Sequence, residues 1–228
     1  MEKRNLAFTS NRSLKPGEII TFGMYPQTRD GKQLPIKWRV LQNSESELFV
    51  LSEYILDCKR YHGKSAAITW HDSVDITWRD CDLREWLNVE FYNTAFKAAE
   101  KEIIKTTHCT DNGENSPDTE DKVFLPSVSE IKQLSDLHSK DLRRSVGTDF
   151  AKTKKPDGCN LYVYDKTDKD NYIIRDGEEA GCSWWWLRTQ GNKPSRACFI
   201  GPGSSIRSYA NVSLARDGVR PALIINLH

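Results

Sequence analysis

The sequence predicts an α+β fold, in which mixed short strands accompany two helices and long loops. Apolar residues alternate singly through the first sixty positions, recur at helical spacing between 80 and 137, and form closely spaced apolar runs after residue 184. Strict alternation marks a half-buried strand, and a spacing of three to four marks an amphipathic helix. The stretch from about 138 to 183 shows neither pattern and supplies the loops.

The first strand lies in PGEIITFGMYPQ (16–27), between the Pro16-Gly17 turn and the break at Pro26. Asp30-Gly31 turns the chain into IKWRVLQN (36–43), where Ile36, Trp38 and Val40 alternate with Lys37 and Arg39; ELFVLSEYIL (47–56) follows as its antiparallel partner. In DCDLREWLNVEFYNTAF (80–96), Leu83, Trp86, Leu87, Phe91 and Phe96 form one apolar stripe, with Asp80 or Asp82 near the positive end of the helix dipole. IIKTT (103–107) and KVFLP (122–126) read as short strands around a polar loop at 110–121. Ser127 and Glu130 have capping-box spacing and start a second helix running toward Leu134 or Leu137. WWWLRT (184–189), RACFIG (196–201), SSIRSYANVSL (204–214) and GVRPALIINL (218–227) read as C-terminal strands joined by Gly, Pro and Asn turns.

Composition narrows the function classes. The 228 residues hold 33 Lys plus Arg against 32 Asp plus Glu, a net charge of +1, so no global footprint for nucleic acid exists. Mean hydropathy is −0.64 and no apolar run is long enough to insert in a membrane. The polar start, Met1 to Asn11, carries no export signal; the expectation is a cytoplasmic protein if the chain is complete. Seven Trp, eight Tyr and eight Phe in so polar a chain imply a core of large rings beneath wet loops.

Six cysteines at 58, 81, 109, 159, 182 and 198 include no CxxC, and no two histidines have the helical spacing of a metal face. The cysteines read as buried small apolar residues, with Cys182 and Cys198 the pair that adjacent strands could bring together. Asp111, Glu114, Asp118, Glu120 and Asp121 offer oxygen ligands, but not at EF-hand spacing, and read as a solvated loop. His71-Asp72 with a distant Ser makes no triad without geometry. No metal and no cofactor is expected.

Seven strings stand in a recognisable order: FGMYPQ (22–27), WRVL (38–41), LSEYILDCKRY (51–61), LREWLNVEFYNTAF (83–96), DKVFLPSVSE (121–130), WWWLRT (184–189) and GVRPAL (218–223). Together they resemble a bacterial domain family with the consensus FGxYPQ, WRVL, LRxWLNxxFxxxAF, DKVFLLSxxE, WWLRS and GVRPAL. That family is placed in the C-type-lectin-like superfamily, beside formylglycine-generating enzymes and the variable proteins of diversity-generating retroelements. The resemblance covers residues 17–227 and implies one C-type-lectin-like domain over 1–228. It also implies that the N- and C-terminal strands pair, and that a long loop region carries the ligand surface, with the diversified segment of variable proteins corresponding to about 184–214.

Within that segment Trp184 and Trp186 share one strand face and Trp185 takes the other, so Trp185 is the candidate outward ring for stacking on a sugar or a partner side chain. Ser205, Arg207, Tyr209, Asn211 and Ser213 are the other candidate contacts, with Ile206, Val212 and Leu214 holding the segment down. Ser, Arg, Tyr and Asn form the mixture adaptable binding surfaces use, though a plain hairpin with polar outer residues fits the same composition. Arg188 and Arg220 are expected to bridge loop carbonyls or a carboxylate such as Asp80 or Glu85, and Asp217-Gly218 to be a turn.

The function expected is therefore non-catalytic binding of a protein or glycan ligand through the C-terminal loop and strand surface, as in a retroelement variable protein. The alternatives are a metal- or cysteine-dependent oxidase of the formylglycine-generating type, and a docking module of a larger particle.

Overall fold

The computed structural model describes residues 14–63, 75–138, 140–164 and 171–227. His71-Asp72 and most of DKTDKDN (165–171) lie outside them. The architecture is α+β, with two main sheets and several short helices.

The N-terminal sheet is antiparallel. Its strands are β1 (Ile19–Pro26), β2 (Gln33–Asn43), β3 (Glu47–Ser52) and the last strand of the chain, β13 (Ala222–Asn226), in the order β1-β2-β3-β13. The alternation of β2 buries Ile36, Trp38 and Val40 as its sequence requires. The C-terminal strand joins this sheet beside β3 rather than β1. In the FGMYPQ string the register of β1 slips between Thr21 and Met24. Gly23 sits there at φ +69°, where a β-carbon would come within 2.6 Å of the Phe96 ring. Only glycine fits such a position. The carbonyl of Phe22 then accepts from Trp38 Nε1 at 2.7 Å.

The second sheet has the order β11-β10-β9-β12-β4: β4 (Asp57–Cys58), β9 (Trp185–Gln190), β10 (Arg196–Ile200), β11 (Ile206–Asn211) and β12 (Gly218–Val219). All pairs are antiparallel except β9 with β12. Two hairpins stand apart, β5 (Thr107–Cys109) with β6 (Thr119–Asp121), and β7 (Tyr172–Arg175) with β8 (Glu178–Gly181).

The helix expected over 80–96 runs from 82 to 95 in three pieces: α1 (Asp82–Trp86), a π turn (Leu87–Phe91) and α2 (Tyr92–Ala95). Asp82 stands in its first turn, as expected, and its N-cap is Cys81, whose Sγ accepts from the Arg84 amide at 3.4 Å. The capping box at Ser127 and Glu130 is present in both directions, 2.9 and 3.1 Å, and starts α4 (Val128–His138). IIKTT and KVFLP are corrected. Ile103 ends a helix, α3 (Ala98–Ile103), and KVFLP contributes one isolated bridge, Phe124 to Ala222. The loop region also contains α5 (Asp149–Lys152), so helices exceed the two expected.

The family strings meet as buried polar hubs. Asp121 of DKVFLPSVSE accepts from Trp78 Nε1, Arg84 Nε and Thr119 Oγ1 at 2.7–2.9 Å, and Asn88 of LREWLN binds the backbone beside it. Arg188 of WWWLRT is buried with all five N–H groups used: two to Glu130 at 2.7 Å, and one each to Asn112 Oδ1 and the carbonyls of Leu125 and Thr110. Its carboxylate is thus Glu130, not Asp80 or Glu85. Arg220 of GVRPAL lies where the chain crosses from β12 to β13, donating to the carbonyls of Ser52 and Leu142 at 2.7 Å each. The acidic loop belongs to this frame, with Asn112 buried and Asp111 accepting from the Ser129 amide.

Candidate ligand-binding cleft

β9 is the middle strand of its sheet and has a hydrophobic cluster on each side. Trp186 packs with Tyr61, Trp38 and the helical rings in the larger cluster, while Trp185 and Leu187 pack with Ile55, Ile131, Leu161 and Ile200 in the smaller. The alternation is as read, but both faces are covered. Trp185 is fully buried, its Nε1 donating to the Arg143 carbonyl at 2.9 Å, so it cannot be the outward ring. That place falls to Trp184, just before the strand, which is half-buried, stacks on Tyr162 at 4.6 Å and 13°, and has the Arg216 guanidinium 5.0 Å from its ring centre.

Trp184 stands at one side of a cleft of about 730 Å³. The β10–β11 hairpin forms most of the wall. Arg196, Phe199, Ser205, Arg207, Tyr209 and Asn211 line it, and Asn171, Leu214, Arg216 and Asp217 complete it. Four predicted contacts, Ser205, Arg207, Tyr209 and Asn211, are therefore together. Tyr209 is 57% exposed and meets Phe199 edge-on at 5.5 Å. Arg207 is exposed, its Nε donating to Ser205 Oγ at 3.1 Å. Ser213 is not among the lining residues. Its amide and hydroxyl both donate to Asn211 Oδ1, at 2.9 and 2.8 Å, which closes a local turn and occupies that oxygen of Asn211. Of the three residues expected to anchor the segment, Val212 is fully buried, and Ile206 and Leu214 half-buried.

The backbone explains why these side chains converge. β11 carries one residue more than β10 between the Ala197–Ala210 and Phe199–Arg207 pairs, a bulge that redirects side chains locally. Gly218 donates to the Trp184 carbonyl at 2.8 Å, and a β-carbon on it would come within 2.3 Å of Ile55. This close approach sets Asp217 beside Trp184.

Asp217, whose Asp-Gly pair in the sequence predicts only a turn, carries chemistry of its own. It is 1% exposed, and among the described residues neither carboxylate oxygen has a hydrogen-bond partner. Burial pushes its acid up to about 7, against a partial opposing pull from the Arg216 charge. A buried polar group left unpaired costs about 1–3 kcal/mol or more. Fold stability alone would not select it.

Other buried polar atoms also lack a hydrogen-bond partner among the described residues, Arg220 Nη2 and Ser183 Oγ included, whereas the charged groups around Glu53 and His108 are paired. Glu53 is nearly buried, yet its carboxyl is held low: burial works against the charge, and the paired bonds from Arg39 with the charges on Arg220 and Arg175 outweigh it. His108 sits exposed between Glu120 and Asp118, and its bond to Glu120 raises it above the ordinary imidazole. Cys182 and Cys198 are free, buried thiols with different neighbours: Arg144, Arg175 and Arg220 act on the first, Asp111 and Lys132 on the second. All six cysteines are buried, as expected, and no bridge joins these two. Among the described residues no three His, Cys, Asp or Glu side chains gather as a metal site, and no helix is long and apolar enough to cross a membrane.

The sequence matches, over residues 45–227, the family described as a domain of unknown function, DUF6273. The chain belongs to that family. The DUF6273 match runs from just before β3 to β13 and includes the Arg188, Asp121 and Arg220 hubs as well as the whole hairpin that walls the cleft. No curated protein and no solved structure matches the chain.

Proposed function

We propose that this protein is a non-catalytic binder of an acidic glycan, held in the cleft between the β10–β11 hairpin and Asp217. The observation that carries the reading is a set of unmet bonding capacities facing one space. Among the described residues Asp217 is buried without a hydrogen-bond partner, and Arg207 and Arg216 have no carboxylate within 4 Å. Both Asp217 oxygens are covered in the free protein, so a ligand hydroxyl that displaces this cover supplies the donor Asp217 lacks, and a sugar carboxylate supplies the anion for the arginines. The Tyr209–Phe199 pair offers an apolar surface to a ring face. The guanidinium groups outnumber the one carboxyl, which disfavours a cationic ligand.

The same positions are those expected of a C-type-lectin-like variable surface, and a retroelement variable protein or a non-diversified relative is the setting in which we place it. The oxidase reading has less support. No cysteine or histidine lines the cleft, Cys182 and Cys198 keep different company, and the neighbouring pair Cys58 and Cys159 is buried away from it.

A glycan array probed with wild-type protein and with the double variant Arg207→Ala/Tyr209→Ala tests the proposal. Retention of uronate-bearing glycans by the wild type, at least tenfold weakened in the variant with melting temperature unchanged, is the expected result. Capture of acidic peptides but no glycan would move the ligand class to protein, and equal retention by the variant would remove the site.

A further inference from the structure

We propose that Cys58 and Cys159 are a redox pair, closing to an intramolecular disulfide on exposure to a low-molecular-weight disulfide and thereby clamping β4 to the turn over 155–159. The two cysteines are 101 positions apart in sequence yet side by side in the smaller hydrophobic cluster. Contacts on every side fix that juxtaposition. Both side chains are buried in that one cluster, against the same carbonyl-bearing loop. The Ala215 carbonyl lies 3.7 Å from Cys58 Sγ and accepts from the Asn160 amide at 2.7 Å, so it touches both partners' segments. Asp57, before Cys58, meets Lys155 Nζ at 3.2 Å; Arg60, after it, donates to Cys159 Sγ at 3.5 Å and to the Asp157 carbonyl at 3.0 Å.

The chemistry within the pair is directional. Cys159 is the more acidic of the two: the neighbouring Cys58 thiol lowers it against the effect of burial, and the Arg60 guanidinium, 3.5 Å from its sulfur, adds to this. Cys58 is held well above the ordinary thiol range, by its neighbour Cys159 and by burial. The other four cysteines are buried too, and the burial of Cys81, Cys109, Cys182 and Cys198 raises each thiol. Of the six cysteines Cys159 is the one whose thiol is lowered, and the Ala215 carbonyl ties its segment to Cys58.

The route in is the turn itself. Both sulfurs are covered in the closed state, but Pro156, Asp157 and Gly158 are exposed, and Arg60 above Cys159 keeps about a third of its side chain in solvent. Lifting this tip exposes Cys159 first. Its sulfur attacks one sulfur of the small disulfide, breaking that bond and releasing one thiolate, and a mixed disulfide forms on Cys159. Cys58 then attacks Cys159 Sγ, its proton passing to solvent or to the departing second thiolate. The balance is two protein thiols oxidised to one disulfide, and one small disulfide reduced to two thiols.

The test uses the whole folded protein and oxidised glutathione, followed by acid quenching, proteolysis and mass spectrometry. The expected product is a single linkage between the peptides carrying Cys58 and Cys159, with two hydrogens lost and a higher melting temperature. Cys58→Ser should stop at the glutathione adduct on Cys159, and Cys159→Ser should leave Cys58 unmodified. Absence of the linkage in folded wild type, under conditions that oxidise the urea-unfolded chain, would overturn the proposal, as would adducts confined to the other four cysteines. Because the wild type alone decides the main result, a variant that fails to fold leaves the test intact.

Discussion

Around Arg188 every N–H of a buried guanidinium has an acceptor within 3 Å, and the anion that balances it, Glu130, is shared with a helix cap. Around Asp217, just before β12 of the same sheet, a carboxyl equally removed from water has no hydrogen-bond partner among the described residues. Both residues stand in or beside strings that resemble family motifs, so resemblance does not separate them. Satisfaction does. A closed network stabilises one arrangement of the chain, whereas an open one is destabilising until something else fills it. On this contrast the Arg188 region is frame and the Asp217 region is site.

The contrast can be broken from the frame side first. Arg188→Ala leaves Glu130 without its counterion and strands Asn112 and two buried carbonyls, at a cost of about 3 kcal/mol or more. Urea denaturation should show that loss, with the Thr110–Asn112 loop the first region to lose hydrogen-exchange protection. A loss under about 1 kcal/mol would mean the network is not what holds the loop.

The site side should respond with the opposite sign. Since the folded state raises the acid of Asp217 to about 7, it holds the proton more tightly than the unfolded chain does. Its contribution to stability is therefore greatest below about pH 4, declines as pH climbs toward 7 and is level above. Asp217→Asn removes that decline. The variant should match the wild type near pH 4 and exceed it at pH 8 by up to roughly 4 kcal/mol, the equivalent of the shift. Parallel denaturation midpoints across that range would show that the carboxyl has a partner in solution.

A smaller effect separates the neighbouring tryptophans. Trp185→Phe forfeits the bond to the Arg143 carbonyl and should cost about 1–2 kcal/mol without changing ligand retention. Trp184→Phe, which keeps a ring against Tyr162, should alter retention more than stability.

The period-2 runs at 19–26 and 33–43, the Ser127–Glu130 capping box and the C-terminal strands were legible because each pattern is local. Ala98–Ile103 was not, since six residues with Lys97 as N-cap carry no amphipathic stripe, and the β-branched Ile103 and Ile104 read as strand. The β7–β8 hairpin carried its signal, Asp176-Gly177 at the turn, inside a polar stretch that obscured it. The composition of 204–214 located the hairpin wall of the cleft. It could not rank Trp184 over Trp185, because alternation assigns faces but not what covers them. Nor could it pick out Asp217, because a missing partner is a property of the assembled fold.

The account rests on Asp217 meeting ligand. Its most direct test is an equilibrium titration of an array-identified uronate glycan against wild-type protein and Asp217→Asn at pH 8, where the variant is the more stable of the two. The prediction is affinity reduced at least tenfold by a substitution that stabilises the fold. Equal affinity in the two proteins would contradict it and return Asp217 to the frame.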